Sequence, residues 1–304
     1  MRRRSVVGGV LGAGVGRGLG WAGAGVVLPA GHITALAQAQ SLPAPLMQTI
    51  RVSAASDLKF ALADVLNQFQ RDTGLSVVAT YGSSGQFARQ IAQGLPTDLF
   101  MSADEALVMQ LAGKGLTKDT GALYALGRLA LIVPRALATG VPVEGNWSAA
   151  QEALGKALGN LGGAAKPRDA NGTNPPSQSA RIAKLAIANP EHAPYGRAAK
   201  EALTAMGLWR DAQARLVLGE NVAQATQFVA SGAAQAGFTA LSLAIAPEVA
   251  ASTRHIAVPT GLHAPLRQRM VLLKNARPQA QRLYVYLQTE AVRKQLQSKG
   301  FGTE

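Results

Sequence analysis

Two short stretches combine residue types that can do chemistry. Ser56-Asp57-Leu58 follows the run Val52 to Ala55, and Ser83-Ser84-Gly85 follows the β-branched run Ser76 to Tyr81. Helical spacing begins at once in both cases: Leu58, Ala61, Leu62, Val65, Leu66 and Phe69 after the first, Phe87 and Ile91 after the second. A serine at a strand-to-helix turn offers a hydroxyl beside unpaired backbone N–H groups and the positive end of the helix dipole. Two such turns facing one cleft make an anion site that needs no charged side chain. The competing reading of either serine alone is an ordinary helix cap.

Catalytic chemistry fares less well. Gly82-Ser83-Ser84-Gly85 is not the G-x-S-x-G of a nucleophile elbow, so a secreted hydrolase using Ser84 lacks a motif that supplies its base. The four histidines, His32, His192, His255 and His263, have no metal-ligand spacing, and the absence of cysteine excludes thiolate chemistry and disulfides. Asp98 and Asp104 stand six residues apart across a strand and a turn, where cap or turn roles outweigh a carboxylate pair. No phosphate-binding glycine loop of the P-loop or G-x-G-x-x-G kind is present. The reading is of a non-enzyme with no cofactor and no direct cation ligands.

The elements that must position these turns follow from periodicity. Strands are predicted at 48–53, 76–81 and 98–102, alternating with helices at 57–70, 85–93 and 104–112. Tyr124 to Pro134 is a longer apolar strand that crosses between domains, and Trp147 to Leu158 is a helix. Further strands are predicted at 182–188, 215–218, 235–242, 255–258 and 268–273, with helices from about Tyr195 to Met206, from Val222 to Ala230 and from Pro278 to about Lys299. The alternation argues an α/β fold with parallel, doubly wound sheets, in which ligands bind beyond the carboxyl ends of the strands. Both serine turns lie there, and the helix starts near Tyr195 and Val222 repeat the device. Residues 159–180, rich in Gly, Pro, Asn and Ser, read as a flexible insertion.

The 304 residues suffice for roughly two domains. Thirty basic and 17 acidic residues leave a formal charge of +13, but no basic run lies outside the first four residues, which argues against nucleic acid. Residues 1–37 read as an export signal: Arg2 to Arg4, an apolar stretch from Val6 to Leu28, and the small-x-small site Ala35-Leu36-Ala37. No other segment reads as membrane-spanning, so the mature chain is expected to be soluble and outside the cytoplasm.

The ordered segments SAASDL, SSGQFARQI, GLPTDLFMSAD, NPEHAPYGRAAKEAL and GFTALS resemble the periplasmic molybdate-binding proteins of bacterial ABC transporters over about residues 48–302. The resemblance implies a periplasmic location and a type II periplasmic-binding-protein fold, two lobes joined by a hinge that the chain crosses twice and closing on a tetrahedral oxyanion. It places one lobe at 46–127 plus 241–304 and the other at 128–240. The family's ligand-binding positions fall on Ser56, Ser84, Tyr195 and Val222, with the backbone of Asp57 a weaker contributor. Where some members carry a ligand-binding tyrosine this chain has Ala240, so either the Tyr195 hydroxyl substitutes or its N–H serves alone. The Asp57 side chain is expected to turn away from an anion. The implied ligand is molybdate or tungstate, with sulfate or phosphate as alternatives on the same fold, and the implied partner is an ABC transporter permease, the protein itself acting as a monomer.

Overall fold

The computed structural model describes residues 49–137, 139–159 and 181–303. The expected export signal and all but the first residue of the expected insertion lie outside them.

Strand β1 (Ile50–Ala55) leads through a 3-10 turn (Ser56–Leu58) into helix α1 (Lys59–Thr73). The turn takes up the start of the helix predicted at Asp57. Helix α1 buries Ala61, Leu62, Val65, Leu66 and Phe69, and Gly74 ends it in the left-handed conformation at φ 69°. There follow β2 (Val77–Gly82), α2 (Ser84–Ala92), β3 (Leu99–Ser102), α3 (Glu105–Gly113) and β4 (Ala122–Gly127). With β10 (Leu266–Leu272) the four strands form a sheet ordered β2-β1-β3-β10-β4. The second sheet is ordered β7-β6-β8-β5-β9. Its strands are β5 (Leu129–Pro134), β6 (Leu185–Ala188), β7 (Leu216–Gly219), β8 (Ala236–Ala240) and β9 (Thr253–Ala257). Helix α4 (Trp147–Gly159) follows β5, α5 (Pro194–Ala205) follows β6, and α6 (Trp209–Gln213) precedes β7. Helix α7 (Val222–Ala230) follows β7, and the short helices α8 (Leu241–Ala244) and α9 (Pro247–Ala250) link β8 to β9.

The fold is the expected two-lobed α/β architecture, with three corrections of detail. First, both sheets are mixed. β1, β2 and β3 are parallel, as are β6, β7 and β8, but β10 runs antiparallel to β3 and β4, and β5 antiparallel to β8 and β9. The two reversed strands are the ones the chain enters from the other lobe. A strand that arrives across the cleft starts at the cleft and runs away from it, whereas the strands that carry the site turns run toward it. Second, the long strand predicted from Tyr124 to Pro134 is two strands in different sheets, with Arg128 between them. Third, β9 pairs with β5, so the second sheet takes a strand from the 241–304 segment assigned to the first lobe. The chain returns between Ala257 and Leu266.

The C-terminal helix is likewise two, α10 (Pro278–Tyr286) and α11 (Glu290–Ser298), because the Thr289 hydroxyl accepts from Val292 N and caps a new start. Each lobe has its own apolar core. Ile50, Leu62, Phe69, Leu99, Met270 and Leu283 lie in the first, and Leu131, Leu154, Ile187, Leu203 and Phe238 in the second.

Candidate functional site

The turns after β1, β2, β6 and β7 meet between the two sheets. Ser56, Asp57, Ser84, Tyr195 and Val222 line one gap of about 10 Å³, with Ser83, Ala103 and Asn221 beside them. The five positions implied by the family resemblance therefore line one gap, although the four turns come from both lobes.

The two serines are not helix caps. Ala55 and Ser83 occupy the cap positions, and neither makes a side-chain capping bond. Ser84 is the first helical residue of α2; its Oγ accepts from Ala103 N at 3.0 Å. Ser56 Oγ accepts from Ala223 N at 3.3 Å, across the cleft. Each hydroxyl is thus fixed through its oxygen, and its proton has no acceptor among the described residues. Both side chains are buried. The N–H groups of Ser84, Tyr195 and Val222, all in first helical turns, also have no acceptor among the described residues. By contrast Asn221 and Asp104 are genuine caps, accepting from Gln224 N and Ala106 N. Among the described residues no Lys, Arg or His lines the gap.

Tyr195 is the second residue of α5, and Pro194, which has no N–H to leave unpaired, opens the helix. Its hydroxyl donates to Asp57 Oδ2 at 3.0 Å, so it does not stand in for the hydroxyl missing at Ala240. What Tyr195 brings to the gap is its backbone N–H. The Asp57 carboxylate is turned to Tyr195 and to Gln268 Nε2, 2.5 Å from Oδ2. Burial pushes its pKa up to about 6, against the lowering effect of those hydrogen bonds.

Sequence reasoning missed the contacts that hold the lobes together. Ser83 Oγ and Gly85 N both donate to the carbonyl of His192, at 2.7 and 3.0 Å. Gln86 Nε2 donates to Glu220 Oε2 at 2.6 Å, and Arg197 pairs with Asp104. In the sequence His192 is only a histidine without metal-ligand spacing, since its partner lies 109 positions away. Asp98 and Asp104 form no carboxylate pair: Asp98 binds Arg277 and Asp104 binds Arg197.

A serine–histidine–carboxylate string does occur, with Ser83 Oγ 3.0 Å from His192 Nδ1 and His192 Nε2 3.6 Å from Glu220 Oε2. It does not involve Ser84. Ser83 is buried, and its hydroxyl also lies within bonding distance of a backbone carbonyl. Burial foremost lowers the His192 pKa, leaving the ring neutral at neutral pH. Outside the gap a groove of about 320 Å³ is lined by Arg89, Lys114 and Arg197 together with Glu191, and Arg197 is paired with Asp104.

Residues 50–302 match the family described as bacterial extracellular solute-binding protein. The molybdate-binding protein ModA of Azotobacter vinelandii is 30% identical over 282 residues, covering 92% of this chain and 96% of that protein. The molybdate-binding protein ModA of Rhodobacter capsulatus is 31% identical over 273 residues, covering 89% and 94%. The solved structure of the Azotobacter vinelandii periplasmic molybdate-binding protein superposes with a TM-score of 0.67 at 28% identity, covering 84% of this chain and 99% of that one.

Proposed function

The chain belongs to the bacterial extracellular solute-binding proteins, and from that premise we propose that it captures molybdate or tungstate in the periplasm and passes it to the permease of an ABC transporter. It does so as a monomer, without a cofactor and without a catalytic step. The relatives named above support the ligand class. The observation that carries the reading is the donor set: three first-turn N–H groups and two serine hydroxyls with free protons around one gap, with no cation among them.

Such a set suits a fully deprotonated dianion. Each charge-assisted bond to it contributes about 1.5–3 kcal/mol, offset in large part by desolvation of the ion. The net expectation is about 8–12 kcal/mol, micromolar to nanomolar affinity. An oxyanion that carries a proton needs an acceptor, which N–H groups do not supply. Sulfate has the same charge and shape as molybdate and is discriminated by size alone. Calorimetric titration with molybdate, tungstate, sulfate and phosphate tests the proposal. Tight binding of the first two is expected; no heat from either, or a preference for sulfate, defeats it.

Ser84 gives a residue-level test. Ser84→Ala removes a hydroxyl aimed at the ligand and leaves Ala103 N without its acceptor. The affinity for molybdate is expected to fall by about 1.5–3 kcal/mol, roughly ten- to a hundredfold. An unchanged dissociation constant removes Ser84 from the site.

A further inference from the structure

Asp57 is a buried acid in a gap whose donors suit an anion. It is 1% exposed and follows directly on Ser56. Its neighbours come from four elements and carry no charge. Tyr195 Oη on α5 and Gln268 Nε2 on β10 donate to Oδ2, at 3.0 and 2.5 Å. Tyr124 on β4 donates to Gln268 Oε1 at 2.8 Å, and Ser242 on α8 donates to the Asp57 carbonyl at 2.8 Å. The two tyrosines are the titratable groups facing the acid, and burial first, then the Asp57 charge, holds both well above their ordinary range. The cluster is tightly packed: a Cβ on Gly127 would meet Tyr195 Oη at 2.6 Å and Gln268 Nε2 at 2.7 Å. Within it Asp57 Oδ1 is buried and has no hydrogen-bond partner.

The oxygens of the carboxyl group are therefore unequal. Oδ2 takes both side-chain donors and Oδ1 makes no hydrogen bond, although the backbone N–H groups of Asp57 and Leu58 lie near the carboxylate and favour its charged form. A proton on Oδ1 breaks no bond in the cluster and keeps the Asp57–Tyr195 link across the cleft. A dianion beside Ser56 places two further negative charges within a residue of this group, in a water-poor surrounding where like charges repel strongly. We propose that oxyanion capture is coupled to protonation of Asp57, which takes up one proton on Oδ1 as the lobes close over the ion. This inference rests on the oxyanion reading above and extends it to the charge balance of the site. Because burial outweighs the hydrogen bonds to the carboxylate and already brings the Asp57 pKa to about 6, the proton is available close to neutral pH.

The sign follows from linkage. A group whose pKa rises when the ligand binds makes binding tighter as pH falls, until the pH passes the pKa of the free protein. The affinity for molybdate is thus expected to rise about tenfold or more from about pH 8 to about pH 6 and to level off below. Titrations at about pH 7 in buffers of different ionisation enthalpy count the protons, with roughly 0.5–1 taken up per oxyanion bound. In Asp57→Asn, which keeps an amide oxygen for Tyr195, uptake should vanish and the affinity should become flat with pH. In Tyr195→Phe, which strips a donor from the carboxylate, the rise should move to higher pH, a shift that a purely structural role would not produce. Molybdate binding by the unmodified protein without proton uptake, or uptake retained in Asp57→Asn, overturns the coupling and leaves the oxyanion reading intact. No binding of any oxyanion at any pH overturns both.

Discussion

Gly85→Ala is expected to weaken molybdate binding at least a hundredfold while leaving thermal unfolding nearly unchanged. Gly85 is the second residue of α2 in the first lobe, and its N–H donates to the His192 carbonyl of the second lobe at 3.0 Å. A Cβ there would sit 2.4 Å from that oxygen and 3.1 Å from the carbonyl carbon. Both partners are backbone, so no side chain can swing aside. Gly85 is not among the glycines with positive φ. Alanine is therefore intrinsically better in this helix by about 0.5–1 kcal/mol, and the clash exists only when the lobes are together. Relief requires the His192 turn to retreat, which breaks its bonds to Gly85 and Ser83 and draws the Tyr195 N–H away from the two serines. A hundredfold loss corresponds to about 2.7 kcal/mol, the scale of one or two charge-assisted bonds. Calorimetry beside a thermal melt separates the possibilities. A dissociation constant within about threefold of the parent rules out the steric block, and a melt lowered by more than roughly 5 °C places the clash in the fold itself.

The same contact shows where reading the sequence stops. The serine turns were legible because strand, serine and helical spacing are all local, and so were the Val222 to Ala230 helix and its position after β7. The sense of β5 and β10 was not, because the direction of a strand depends on which lobe the chain arrives from, and no residue within the strand records it. The placement of β9 was hidden for the same reason: Thr253 to Ala257 completes a sheet whose other strands lie up to about 120 residues upstream. Tyr195 was found as a helix start and through the family resemblance, but the use of its hydroxyl depends on Asp57, 138 positions away. The cap reading of Ser56 and Ser84 failed on a similar point. Their oxygens are taken by Ala223 N and Ala103 N, from segments that the local pattern does not connect to them. Thr289 was missed in a local pattern: apolar spacing continuing from Pro278 concealed the break that its hydroxyl caps.

Asp98→Ala is expected to cost about 3 kcal/mol of folding stability at neutral pH without changing oxyanion affinity. Asp98 lies just before β3, at the end of the first sheet away from the cleft. Its carboxylate accepts from Arg51 N at 2.7 Å, from Arg277 N at 3.0 Å and from Arg277 Nη2 at 2.6 Å. These bonds tie the starts of β1 and β3 to the start of α10. Truncation leaves two backbone donors and a partly buried guanidinium without their acceptor, and breaking a buried pair in this way costs about 3–5 kcal/mol. The lower end applies because the Arg277 side chain is 25% exposed. Against a typical total of about 5–15 kcal/mol the loss is large. Burial by itself would raise the Asp98 pKa, but the hydrogen bonds from Arg277 and Arg51 outweigh it and hold the group below its ordinary value of 3.8. A depressed folded-state pKa contributes stability that is fully present above the unfolded-state value and is lost as pH falls through the folded one. The gap between parent and variant in urea denaturation should therefore be full at about pH 7 and narrow below about pH 4. A difference under about 1 kcal/mol at neutral pH would make this pair a surface interaction rather than a fastening of the lobe.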